Sequence, residues 1–130
     1  MTGKAFVGAA TVAGIVAAGA LAASSVSGTY TEKIAGASPA LLNGTWSIAL
    51  KPGAYTIKRN GAVAVAGKLA AAKTRLQFTD TGGPLRCTGA QAKGVYSYVL
   101  KGSTLRLKPV AETCAGRKLV LTAHPLKRIA

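Results

Sequence analysis

Acidic residues are almost missing from this chain. Glu32, Asp80 and Glu112 are its three carboxylates, set against 17 Lys and Arg in 130 residues, for a formal charge of +14. So few acids leave little from which to build a general acid–base pair. Asp80 directly precedes Thr81-Gly82-Gly83 and reads as the cap of that turn. Glu112 reads as a surface charge or the partner of an arginine. His124 is the single histidine, with no second one to share a metal. Gly82-Gly83-Pro84 loses an amide donor to proline and has no Lys-Ser/Thr after it, which excludes a phosphate-cradling loop. No catalytic residue, metal site or cofactor is expected, and the chain is read as a non-enzyme.

Long apolar runs are confined to one place. Met1-Thr2-Gly3-Lys4 is a short positive start, followed by an uncharged Ala/Gly/Val-rich run from Ala5 to Ala23. The run reaches Ala20-Leu21-Ala22, the small-residue spacing a signal peptidase needs. This order predicts a secretory signal peptide over 1–22, with a retained apolar helix as the alternative. No cysteine stands near the cleavage point, which excludes a lipoprotein anchor. The protein is therefore placed outside the cell or in its envelope, with no stable membrane anchor after cleavage. Cysteine is also scarce, represented by Cys87 and Cys114 alone. An even count in an exported chain predicts one disulfide rather than a redox or metal site. Closing so long a loop stabilises by roughly 3–4 kcal/mol in the chain-entropy view.

What remains has the texture of short strands. Residues 23–41 are Ser/Thr/Gly/Ala-rich without sustained periodicity and read as a flexible leader. Trp46, Ile48 and Leu50 then alternate with Thr45, Ser47 and Ala49, the period of a half-buried strand. Lys51-Pro52-Gly53 turns the chain into a second strand at Tyr55 and Ile57. Asn60-Gly61 between two strand-like runs predicts a type I′ hairpin. Residues 68–73 read as a loop or strand end. Leu76 and Phe78 mark a further strand, 94–100 and 104–110 a hairpin turning at Lys101-Gly102-Ser103, and 118–123 a last strand before Pro125. Seven or eight strands joined by close turns predict an all-β domain over 42–124, with 125–130 a basic tail. A small antiparallel up-and-down barrel fits best, and a β-sandwich is the alternative.

Asn43-Gly44-Thr45-Trp46 resembles the G-x-W opening of lipocalins and their calycin relatives. Gly-x-Tyr at 53–55 and 94–96, Phe-Thr-Asp at 78–80 and Cys-x-x-Arg at 114–117 extend a likeness to small secreted bacterial barrels. The resemblance implies that Trp46 closes one end of the barrel and that Arg117 packs across it. It also implies a small apolar ligand in the barrel, met by inward faces among Tyr55, Ile57, Leu76, Phe78, Tyr96, Tyr98, Leu105 and Leu107. Of these, Tyr55, Phe78, Tyr96 and Tyr98 are the candidate ligand-binding residues.

The charge points to a second class of partner. Lysines and arginines are spread along the whole domain, and so basic a surface attracts anionic cell-surface polymers or membrane surfaces. Nucleic acid is disfavoured, because aromatic platforms and a recognisable binding module are both missing. The leading expectation is a secreted lipocalin-like binding module. The alternative is a basic protein of the cell envelope that works through its charged exterior.

Overall fold

The computed structural model describes residues 25–130. The export segment expected over 1–22 lies outside the described residues. The domain is a closed barrel of eight strands, each hydrogen-bonded to its neighbours in sequence, with the last returning to the first. In order these are β1 (Gly28–Ile34), β2 (Gly44–Lys51), β3 (Ala54–Arg59), β4 (Ala62–Ala71), β5 (Arg75–Gly82), β6 (Lys93–Lys101), β7 (Thr104–Ala111) and β8 (Leu126–Arg128). A helix, α1 (Ala115–Thr122), lies between β7 and β8. The up-and-down barrel expected from the hairpin spacing is the fold, and the sandwich alternative falls away.

The turns follow from their residues. Asn60 and Gly61 both take positive φ, 51° and 85°, as a type I′ turn requires. Gly53, at φ 83°, follows Pro52 as in a type II turn. Along the wall, Trp46, Ile48 and Leu50 of β2 and Tyr55 and Ile57 of β3 point inward and are buried.

Three expectations need correction. The segment 23–41 is not a free leader: β1 runs inside it, paired to β2 along its length. Tyr30, Glu32 and Ile34 face inward while Thr29, Thr31 and Lys33 do not. A carboxylate at the middle inward position breaks the apolar alternation that marks the other strands. The run 118–123 is not a strand but most of α1, whose buried side chains Arg117, Val120 and Leu121 recur at helical spacing. The basic tail 125–130 contains β8, which closes the barrel between β1 and β7 and carries fully buried Leu126. The run 68–73, read as a loop or strand end, is the end of β4, which continues to Ala71.

Because consecutive strands run in opposite directions, the β1–β2, β3–β4, β5–β6 and β7–β8 connections share one end of the barrel. That end is covered by a 3-10 turn at Ala40–Leu42, by α1 and by the 83–92 loop. The chain enters at the opposite end, where the Ser25 carbonyl accepts from the Arg128 guanidinium at 2.9 Å.

Candidate functional site

Two inward carboxylates and one arginine meet beneath α1. Arg117, projecting from the first turn of the helix, donates from Nε to Glu112 at 2.6 Å and stands 3.2 Å from Asp80. Its terminal nitrogens also donate to the carbonyls of Ala92 (2.7 Å) and Gln91 (2.8 Å). Each carboxylate has a tyrosine: Tyr55 donates to Asp80 at 2.5 Å, and Tyr96 to Glu112. Each also accepts a backbone amide from a cysteine, Cys87 to Asp80 and Cys114 to Glu112, both at 2.8 Å. Cys87 and Cys114 are joined as the expected disulfide, with Cα atoms 6.3 Å apart. The bond therefore ties together the two segments that hold the carboxylates around Arg117.

Two strand glycines, Gly67 within β4 and Gly94 at the start of β6, make room for this string. A Cβ at Gly67 would overlap the Tyr55 hydroxyl and the Thr79 carbonyl, and one at Gly94 would overlap Glu112 and Arg117. Glycine inside a strand is a signal of close approach.

The electrostatics lock the string. Burial alone would raise the Glu112 carboxyl, but Arg117, Tyr96 and the Cys114 amide outweigh it and hold it below its ordinary value. Burial and the neighbouring carboxylates push both Tyr55 and Tyr96 up, so neither ionises near neutral pH. Burial works against the Arg117 charge, and the two carboxylates more than restore it. A buried arginine shared by two carboxylates is a clamp on the fold, with its donors and acceptors already taken. Spacing along the chain does not reveal the Asp80–Arg117 ion pair, which the fold alone brings together. Asp80 caps no turn with its side chain in the way expected: it spends both oxygens on the clamp.

The four candidate ligand residues separate. Phe78 sits edge-on between Tyr55 and Tyr96, with centroids 5.0 and 5.6 Å away, and all three are buried. These rings fill the middle of the barrel. Tyr98 is half-buried elsewhere, its hydroxyl 3.4 Å from the Ala72 carbonyl. Trp46 is buried and donates from its indole N–H to the Leu42 carbonyl at 2.9 Å. Trp46 and Arg117 line one small cavity of about 40 Å³ with Leu42, Ile57 and Val120. The ring–cation contact found among the described residues is another one, Arg128 over Tyr30 at 5.4 Å. A ligand pocket ordinarily offers about 300 Å³ or more.

The outside of the barrel is the reverse of its inside. Glu32, Asp80 and Glu112 are all inward, with Glu32 and Asp80 each 6% exposed and the Glu112 side chain fully covered. No acidic side chain is left on the surface. Every lysine among the described residues is exposed, and of the described arginines only Arg117 is buried. Strand register sets the lysines in rows. Lys51, Lys68 and Lys93 lie on one row across β2 to β6, separated by Ala54 and Thr79. Lys58, Lys127 and Lys101 lie on a second, with Ser47, Thr31 and Thr104 between them. Lysines two strands apart stand about 10 Å from each other.

Compared with known proteins, the chain matches no family model, no curated protein and no solved structure.

Proposed function

We propose that this protein is an exported, non-enzymatic module that binds anionic polymers of the cell envelope through its outer wall. The observation that carries the reading is the placement of charge: all three carboxylates are inside the barrel, so the exterior presents cations without acidic neighbours. Such a surface holds a long-range positive field and draws polyanions from every side. Rows of lysines interleaved with hydroxyls and small residues offer a linear chain of phosphates or sulfates several contacts at once. The disulfide supports an oxidising compartment, in keeping with export.

The lipocalin-like reading draws support from the closed up-and-down barrel and from Trp46 near its covered end. A small apolar ligand inside that barrel draws none from the interior, where Tyr55, Phe78 and Tyr96 occupy the centre. The geometry therefore favours the outer wall.

The test is binding of fluorescently labelled linear polyphosphate, followed by anisotropy from 50 to 500 mM NaCl. Affinity should fall about a hundredfold or more over that range, as expected when many counterions are released. Lys58, Lys101 and Lys127 changed together to Gln should weaken binding without altering the fold. Affinity that ignores salt, or no binding at 50 mM, sinks the proposal.

A further inference from the structure

The covered end of the barrel is not uniformly polar. A groove of about 530 Å³ runs between the 39–42 turn and α1, lined chiefly by Pro39, Leu41, Leu42, Leu85 and Leu119. Leu41 is 46% and Leu85 37% exposed, large fractions for leucines set side by side. Cations bracket the pair. Lys118 lines the same groove, Arg86 follows Leu85 and is exposed, and Arg59 is held at this end by its bond to the Asn43 carbonyl.

From this combination we infer that the covered end docks on anionic lipid bilayers, with Leu41 and Leu85 entering the headgroup layer. Arg59, Arg86 and Lys118 then contact lipid phosphates around them. The inference rests on the proposed polyanion reading and deepens it, since it names one anionic surface and one face of the protein. Exposed apolar side chains ringed by cations suit the boundary between acyl chains and headgroups, where a soluble polymer would use the cations alone. A second copy of this chain is a poorer occupant, because it would set the same cations against one another. The described chain begins at the opposite end of the barrel, beside Arg128.

The experiment is co-sedimentation of the full chain with vesicles of equimolar phosphatidylglycerol and phosphatidylcholine, and with vesicles of phosphatidylcholine alone. The native protein should bind the anionic vesicles and leave the neutral ones. Leu41→Gln with Leu85→Gln keeps the net charge and should weaken vesicle binding about tenfold, the scale of losing two partly inserted leucines. Polyphosphate binding should stay within about twofold, because that contact is electrostatic. Val99→Gln, at an exposed apolar position on β6 away from the groove, should change neither. If the paired change lowers the melting midpoint, Leu41→Gln alone serves, at the more exposed of the two sites.

Vesicle binding unaffected by the leucine changes, or equally reduced by Val99→Gln, overturns the inference and leaves the polyanion reading standing. Failure of the native protein to bind either polyphosphate or anionic vesicles removes both.

Discussion

Glu32 gives the sharpest test of how this barrel stores its charge. Its carboxyl points inward from β1, between Tyr30 and Ile34 and opposite Trp46, and neither oxygen has a hydrogen-bond partner among the described residues. Burial pushes its pKa from 4.5 up to about 8. Between those values the folded chain keeps a proton that the unfolded chain has lost. Stability must therefore fall as pH rises through that window, by at most about 1.4 kcal/mol per pH unit for one proton. Allowing for screening by residual solvent, the loss from pH 5 to 7.5 should be about 2 kcal/mol. In a domain of this size that lowers the melting midpoint by roughly 8–15 °C. Glu112, held low by Arg117, contributes in the opposite sense and only at more acidic pH. Glu32→Gln cannot ionise, so its stability should be flat over this range, near the native value at pH 5 and about 2 kcal/mol above it at pH 7.5. Urea unfolding followed by circular dichroism at half-unit pH steps measures both slopes. A native slope equal to that of the variant, or native stability rising from pH 5 to 8, refutes the reasoning.

The clamp beneath α1 supplies two further predictions. Arg117→Met strands two buried carboxylates and should cost about 3–5 kcal/mol at pH 7, with the deficit shrinking as pH falls, because the Glu112 carboxyl that Arg117 holds below its ordinary value then takes up its proton more readily in the variant than in the native protein. A deficit below about 1 kcal/mol, or one independent of pH, in urea titrations would show that Arg117 is not their counterion. Gly67→Ala places a methyl where the Tyr55 hydroxyl passes to reach Asp80, and should cost about 1–3 kcal/mol of overpacking. Gly61→Ala, where a Cβ meets open space, tests backbone conformation alone in the same assay. Equal effects of the two would remove the argument from close packing.

The barrel was legible where inward apolar residues alternate over several positions without a break. On β2 and β3 the alternation of Trp46, Ile48 and Leu50, then Tyr55 and Ile57, is unbroken, and Asn60-Gly61 sets the hairpin after them. It failed where an inward position carries charge. Glu32 hid β1 in a stretch already rich in Ser, Thr and Gly, and the boundary of the domain was misplaced with it. The segment ending in α1 failed for another reason: Lys118-Leu119-Val120-Leu121 suits a strand as well as a helix, and the deciding residue, Arg117, is polar. The clamp itself was beyond local reading, since Asp80 on β5 lies far along the chain from Glu112 and Arg117, which share the β7–β8 connection. The disulfide hinted at it, by bringing the neighbourhoods of Cys87 and Cys114 together, and so did the reading of Glu112 as the partner of an arginine.

The same placement explains how so basic a small domain can hold together. Cations crowded on a wall repel one another, and a barrel without exposed sheet edges still bears that strain over its whole surface. The usual remedy, carboxylates interspersed among the lysines, is missing here. Instead, Asp80 and Glu112 act from inside, gripping Arg117 and the amides of both bridged cysteines. The disulfide closes the same region covalently. Cohesion is thus moved to the interior, and the wall is left free of competing anions. A protein whose exterior served only solubility would gain nothing from this division, whereas one that must hold polyanions gains an uninterrupted cationic face.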